Sequence, residues 1–308
     1  MKKLLILFLT FTLSSHVAFG QPQIYTARGM TSTPYYRAQE NTIDAHMAIY
    51  KWNQEHPSQP ITGSEMHVIA VKPKKAGEPA IFVCAHDESL KSLTGKNISL
   101  RDLSKLQIQA IEINQVLDGI DYGKSRKIAF LDEMFAAIFQ QSQPIHIWLE
   151  IKDQSYKPNL MPSYTAIETI KKLKELHQYY LHQPQPVDIF KYIIVSSINP
   201  LLSNELDKQS KAQGLDKLGL SVFLEYEPLI ISKEFWEYFL LHTDYAEIFK
   251  MTPEWVAFEK VLLTPKVIEK FKNKKNKIMS WGYNVSDPWD PQQTAAYWQD
   301  LDAVLVSL

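Results

Sequence analysis

The sequence predicts an α/β fold, a (β/α)8 or TIM barrel, on three observations. Eight apolar runs of strand length recur along it, helical patterns lie between most of them, and no internal repeat, Gly/Ser linker or low-complexity tract divides its 308 residues. Continuous apolar strands alternating with helices imply a parallel sheet covered on its outer side, and eight such units close into a barrel. Single barrels commonly run to about 250 residues or more. One domain, residues 21–308, follows.

The runs, in order, are "QIYTA", "MHVIAV", "AIFVCA", "IHIWLEI", "YIIVSSI", "SVFLEY", "KIMSWGY" and "DAVLVSL". Helical periodicity marks "ENTIDAHMAIYKWNQ", "RDLSKLQIQAIEINQVL", "SYTAIETIKKLKELHQYYL" and "TPKVIEKFKNKK" between them. Within the first of these, Asn41 or Thr42 is the expected helix cap. The chain stops at Leu308, directly after the eighth run. The barrel is therefore expected to lack its last helix.

Residues 1–20, "MKKLLILFLTFTLSSHVAFG", join two lysines, an apolar run and a small-residue exit, the pattern of a signal peptide. The run is shorter than the ~20 residues that cross a bilayer. The expected location is periplasmic or secreted, with no transmembrane segment in the mature chain. Without Lys2 and Lys3, 31 basic residues face 34 acidic ones, which argues against nucleic acid as a partner. Cys84 is the sole cysteine, so an internal disulfide is impossible and the residue reads as a small buried hydrophobe.

Working groups of such barrels stand at the C-terminal ends of the strands. The polar residues there are Arg28, His86, Asp87, Glu150, Lys152, Ser197, Asn199, Glu225, Trp281 and Asn284. Two cations, several carboxylates and an imidazole suit an anionic substrate with a divalent metal beside it.

Taken in order, "ARG", "QENT", "GSEMHVIAV", "HDESLKSLTGK", "FLDEMF", "LEIK", "SSIN", "SWGYN" and "LDAVLVS" resemble the motifs of the glycerophosphodiester phosphodiesterase family. The resemblance runs from Tyr25 to the C-terminus and marks a divergent member of this phospholipase-C-like barrel group. It implies phosphoric diester hydrolysis in lipid metabolism, a glycerophosphodiester or phospholipid headgroup as ligand, and a divalent metal as cofactor. By motif, Arg28 matches the phosphate-binding arginine, Lys152 its lysine neighbour, His86 the second catalytic histidine and Glu150 a metal ligand.

Two departures stand out. Ala27 occupies the place of the first catalytic histidine. The family's Glu-x-Asp metal pair on the second strand falls either on Glu65 and His67 or on Val68 and Ala70; the second alignment needs the smaller insertion before His86 and is preferred. Positions 65 and 67 share one strand face and 68 and 70 the other, so only one pair points inward. With Val68 and Ala70 inward, the cation has little but Glu150 to hold it, and the chain reads as a catalytically impaired binder of phosphodiesters. With Glu65 and His67 inward, a Glu-His-Glu shell suits zinc or manganese, and His86 would protonate the departing alcohol. A purely structural or protein-binding barrel is the third class.

Other features keep two readings. Arg28 either grips phosphate or pairs with Glu40; Glu150 and Lys152 are either site groups or a structural ion pair. "KNKKNK" (272–277) precedes a strand and reads as a solvated turn. The aromatic segment 234–255, within the long 227–255 connection, is an inserted helix or a lid that gives peripheral membrane contact. Tyr35 and Tyr36 would rim the mouth.

Overall fold

The computed structural model describes residues 22–31, 37–73, 77–152, 162–215, 218–224, 232–244, 246–247, 250–251, 253–284 and 296–307. The expected signal peptide, Tyr35, Tyr36 and Glu225 lie outside them. Eight parallel strands close a barrel: β1 (Gln23–Thr26), β2 (Gly63–Val71), β8 (His146–Lys152), β9 (Ile193–Ser197), β10 (Gly219–Leu224), β11 (Trp255–Glu259), β12 (Lys277–Asn284) and β13 (Ala303–Ser307). Tyr25 pairs with Leu305 on one side and with Gly63 on the other, which completes the ring. Among the described residues no helix is long and apolar enough to cross a membrane.

Eight strands are present, but not the eight runs expected. "AIFVCA" forms β3 (Ile81–Cys84), which runs antiparallel to the upper half of β2 and stays outside the ring. Its place is taken by β11, of which only Trp255 entered the sequence analysis, as the end of the long aromatic connection. After β3 the chain makes an excursion: short helices α2 (Lys91–Thr94) and α3 (Lys105–Gln109), then β4 (Glu112–Ile113), β5 (Val116–Leu117), β6 (Ile120–Asp121) and β7 (Arg126–Lys127). The helical periodicity of 101–117 is thus broken after five residues. Ile108, Ile113, Leu90, Leu93, Leu100 and Phe130 instead form a separate apolar core against Ile69 and Val71.

The outer layer holds α1 (Ile43–Glu55), α4 (Leu131–Phe139), α5 (Pro162–Leu181), α6 (Pro200–Ala212), α7 (Lys233–His242) and α8 (Pro265–Asn273). Their apolar faces and the outward strand residues, Val68 and Cys84 among them, make the main core. Burial pushes the Cys84 thiol pKa well up, so it stays protonated and inert. In the 272–277 turn at the opposite end from the mouth, Lys274 pairs with Asp244 and Lys277 with Glu254.

The barrel interior is aromatic. Trp148 meets Tyr25, Phe223 and Trp255 edge to face with centroids 6.0, 5.8 and 5.4 Å apart, and its indole N–H donates to Ser196 Oγ at 3.0 Å. This floor lies two residues below Glu150 on the same face of β8, so it closes the mouth from beneath. Trp148→Ala should cost about 3–5 kcal/mol, because the cavity it leaves sits among rigid rings. Urea midpoints check this; a loss below about 1 kcal/mol would show that the floor carries no load.

Candidate metal centre and anion-binding mouth

The second strand decides the site. β2 is buried along nearly its whole length, and its two faces meet different surroundings. Val68 is fully buried in the core under the helices, where Ala70 also packs. Glu65 and His67 point the other way, into the mouth. The expected inward placement of Val68 and Ala70 is therefore corrected: a helix-covered outer face must be apolar, so the polar alternate residues turn inside.

β2 pairs with β8 so that His67 stands opposite Glu150. His67 Nε2 lies 3.1 Å from Glu65 Oε2 and 3.1 Å from Glu150 Oε2, and Lys152 Nζ lies 2.9 Å from Glu150 Oε1. All three triad residues are buried, and one ligand atom from each falls within 4.8 Å of the others. Two carboxylate oxygens and one imidazole nitrogen fit a zinc or manganese ion better than calcium, which prefers oxygen alone. Glu65, His67 and Glu150 would hold it.

The electrostatics show how strongly this trio wants a positive centre. Burial alone would lower the His67 pKa, but the charges of Glu65 and Glu150 outweigh it and hold it above its ordinary value. Burial would raise Glu150, yet His67 and then Lys152 pull it below the usual carboxylate range. A proton on His67 thus occupies the position that a cation would take.

Above the trio sits His86, which reaches the mouth from the loop after β3, not from a barrel strand. Its ring lies 4.8 Å from that of His67, and its Nδ1 is 2.9 Å from Asp87 Oδ1. Burial first, then the positive charges of His67, Lys152 and Arg28, lower the His86 pKa, with Asp87 opposing them. A neutral ring facing a carboxylate carries its proton on Nδ1 and leaves Nε2 as an acceptor. The reading with Glu65 and His67 inward casts His86 as the proton donor; a ring drawn toward its neutral form suits a proton acceptor instead.

Arg28 comes from the turn after β1. Its own φ is 59° and that of Gly29 is 91°, and a Cβ at Gly29 would lie 2.7 Å from the Ala45 Cβ. Glycine is required there because the turn packs on the first turn of α1. Thr42 is the cap of that helix, its Oγ1 accepting from the Ala45 N–H. Arg28 Nη1 meets Glu40 Oε2 at 2.6 Å, the expected ion pair, and the side chain also lines the cavity. Ala27 lines the same space and offers no proton.

Together these residues line a cavity of about 620 Å³, which Trp281 also borders. Ser197 and Asn199 serve the backbone instead: Ser197 Oγ donates to the Ile151 carbonyl, and Asn199 caps α6. Asn284 ends β12 and does not line the cavity. Tyr122, Leu117 and Asp118 do line it and were missed, because they sit in the excursion where no strand-end rule applies.

The barrel matches solved structures over nearly its whole length. A Silicibacter pomeroyi protein assigned as a glycerophosphoryl diester phosphodiesterase aligns with TM-score 0.66 at 14% identity, covering 93% of this chain and 90% of that one. The shared fold is that of the glycerophosphodiester phosphodiesterases. An Oleispira antarctica phosphodiesterase, solved in complex with the product sn-glycerol-3-phosphate, aligns with TM-score 0.61 at 19% identity and 93% coverage of both chains. A glycerophosphodiester phosphodiesterase of Parabacteroides distasonis gives 0.58 at 15% identity, covering 94% and 93%. No family model and no curated protein matches the sequence.

Behind the trio, His46 of α1 is fully buried with both ring nitrogens unpartnered. Burial, and secondarily the charge on His67, push its pKa down to about 3. The unfolded chain takes up this proton near the ordinary 6.5, the folded chain only near 3. Between these values the unfolded state binds more protons, so His46 makes stability rise with pH by up to about 1.4 kcal/mol per unit. His46→Leu should lose less stability than wild type between pH 7 and pH 4, as read from urea midpoints. Equal pH slopes would contradict a buried neutral imidazole.

Proposed function

We propose that this protein is a divergent member of the glycerophosphodiester phosphodiesterase family that binds glycerophosphodiesters with the help of a divalent cation and hydrolyses them poorly. The observation that carries the reading is the buried Glu65, His67, Glu150 trio beneath Arg28, Lys152 and His86. A relative in fold, the Oleispira enzyme, holds sn-glycerol-3-phosphate, which supports the ligand class.

Charge supports the cation. Among the described residues lining the cavity, Arg28, Lys152 and the protonated His67 face Glu40, Glu65, Asp87, Asp118 and Glu150, a net of −2 with His86 neutral. A phosphodiester anion entering such a mouth meets repulsion unless further positive charge is present. When bound, a divalent ion supplies that charge and stabilises the charge that develops on phosphate oxygens. Because His67 must be deprotonated to act as a ligand, metal binding should release a proton and weaken as the pH falls.

The protein groups then divide the work. Arg28 donates N–H groups to the phosphate, and Lys152 balances Glu150 while facing the same space. His86 Nε2 is placed to accept the proton of an attacking hydroxyl, with Asp87 fixing the ring. Ala27 returns no proton to the departing alcohol, which then takes one from water in place of the missing histidine. Losing one positioned acid-base group costs about 10²–10⁴ in rate.

Calorimetry with glycerophosphocholine, with and without manganese, tests this, alongside turnover of wild type and Ala27→His. Binding should require the metal and vanish in Arg28→Ala, and Ala27→His should raise turnover by about 10²-fold or more. Fast wild-type turnover unchanged by Ala27→His would reject the impairment. Absence of metal-dependent binding would reject the function.

A further inference from the structure

Asn41 lies between the two halves of the mouth and belongs to neither. The residue is 2% exposed, and its backbone adopts φ 55°, a left-handed conformation that asparagine tolerates better than most residues. Its N–H donates to the Arg28 carbonyl at 3.0 Å. Its Oδ1 accepts from the His67 backbone N–H at 2.9 Å. The preceding residue, Glu40, holds the Arg28 guanidinium, and the following one, Thr42, caps α1. One residue thus ties the turn that carries Arg28 to the strand that carries His67.

We propose that Asn41 is a positioning residue that sets the distance between the cation trio and the phosphate-gripping arginine, so that binding of a cation and binding of a phosphate reinforce each other. The inference rests on the function proposed above and adds the device that couples its two parts. A helix cap is already supplied by Thr42, so capping leaves the buried amide of Asn41 unexplained. The bond from the His67 N–H is made within β2, at a point where the strand pairs with β8 on its other side. It fixes the height of the imidazole against Glu150, while the bond to the Arg28 carbonyl fixes the turn. A shift of about 1 Å between such groups is enough to cost a large factor in function.

Two substitutions separate the hydrogen bond from the backbone conformation. Asn41→Gly keeps the left-handed φ accessible and removes the acceptor. Asn41→Asp keeps an acceptor oxygen at the same reach and also tolerates the left-handed region. Inorganic phosphate is titrated into the full chain with and without manganese, giving the factor by which the metal tightens phosphate binding. In parallel, amide hydrogen exchange at His67 is followed in metal-free protein.

Wild type should show at least tenfold tightening. Asn41→Asp should keep it, and Asn41→Gly should lower it below threefold. The His67 amide should exchange at least tenfold faster in Asn41→Gly and at the wild-type rate in Asn41→Asp. Retained tightening in Asn41→Gly, equal loss in both variants, or unchanged exchange in Asn41→Gly would each overturn the inference. If Asn41→Gly does not fold, Asn41→Asp decides alone: retained tightening supports the coupling and lost tightening overturns it. If wild type shows no tightening while the exchange results hold, the function proposed above fails and the Asn41 hydrogen bond stands as a structural tie only.

Discussion

The site depends on two carboxylates, Glu65 and Glu150, held out of water on either side of His67. Taking such groups from water costs several kcal/mol each unless a positive centre lies between them. In the metal-free molecule that centre is the proton on His67, backed by Lys152 at 2.9 Å from Glu150. The same constraint makes the trio a candidate cation site, because a divalent ion would satisfy both carboxylates more fully than one proton does. The aromatic floor around Trp148 keeps solvent from below, and so keeps the demand for positive charge high.

From that constraint the mouth becomes intelligible as a device with two unequal sides. On one side, Arg28, Lys152 and His86 remain arranged for an oxyanion and a proton acceptor. On the other, Ala27 offers no proton donor where the family resemblance places a histidine. His86, drawn toward its neutral form by burial and neighbouring cations and with Asp87 at its Nδ1, suits the uptake of a proton better than its delivery. The proposed reading, a phosphodiester seated more readily than it is hydrolysed, rests on this inequality.

Much of this was legible in the residues. The alternation of apolar runs and helices gave the barrel, and Arg28, His86, Glu150 and Lys152 do converge on one cavity. What misled was the assumption that each apolar run is a ring strand. "AIFVCA" is as apolar as its neighbours, yet its short spacing from β2 permits only a hairpin, since a parallel return needs a dozen or more residues. "WVAFE" was hidden by the aromatic residues before it. The β2 parity was illegible from alternation because "GSEMHVIAV" is buried on both faces. Helix packing held the missing signal: the face that meets the helices must be apolar, which leaves Glu65 and His67 only the interior. Asp118 and Tyr122 could not be found at all, since they reach the mouth through the tertiary fold of the excursion.

The most direct measurement is an anomalous difference map from crystals grown with manganese. A single strong peak between Glu65, His67 Nε2 and Glu150, with His86 above it, is the expected result. Ordered density that places Val68 and Ala70 toward the barrel axis, or a trio with no metal at saturating manganese, would contradict the account.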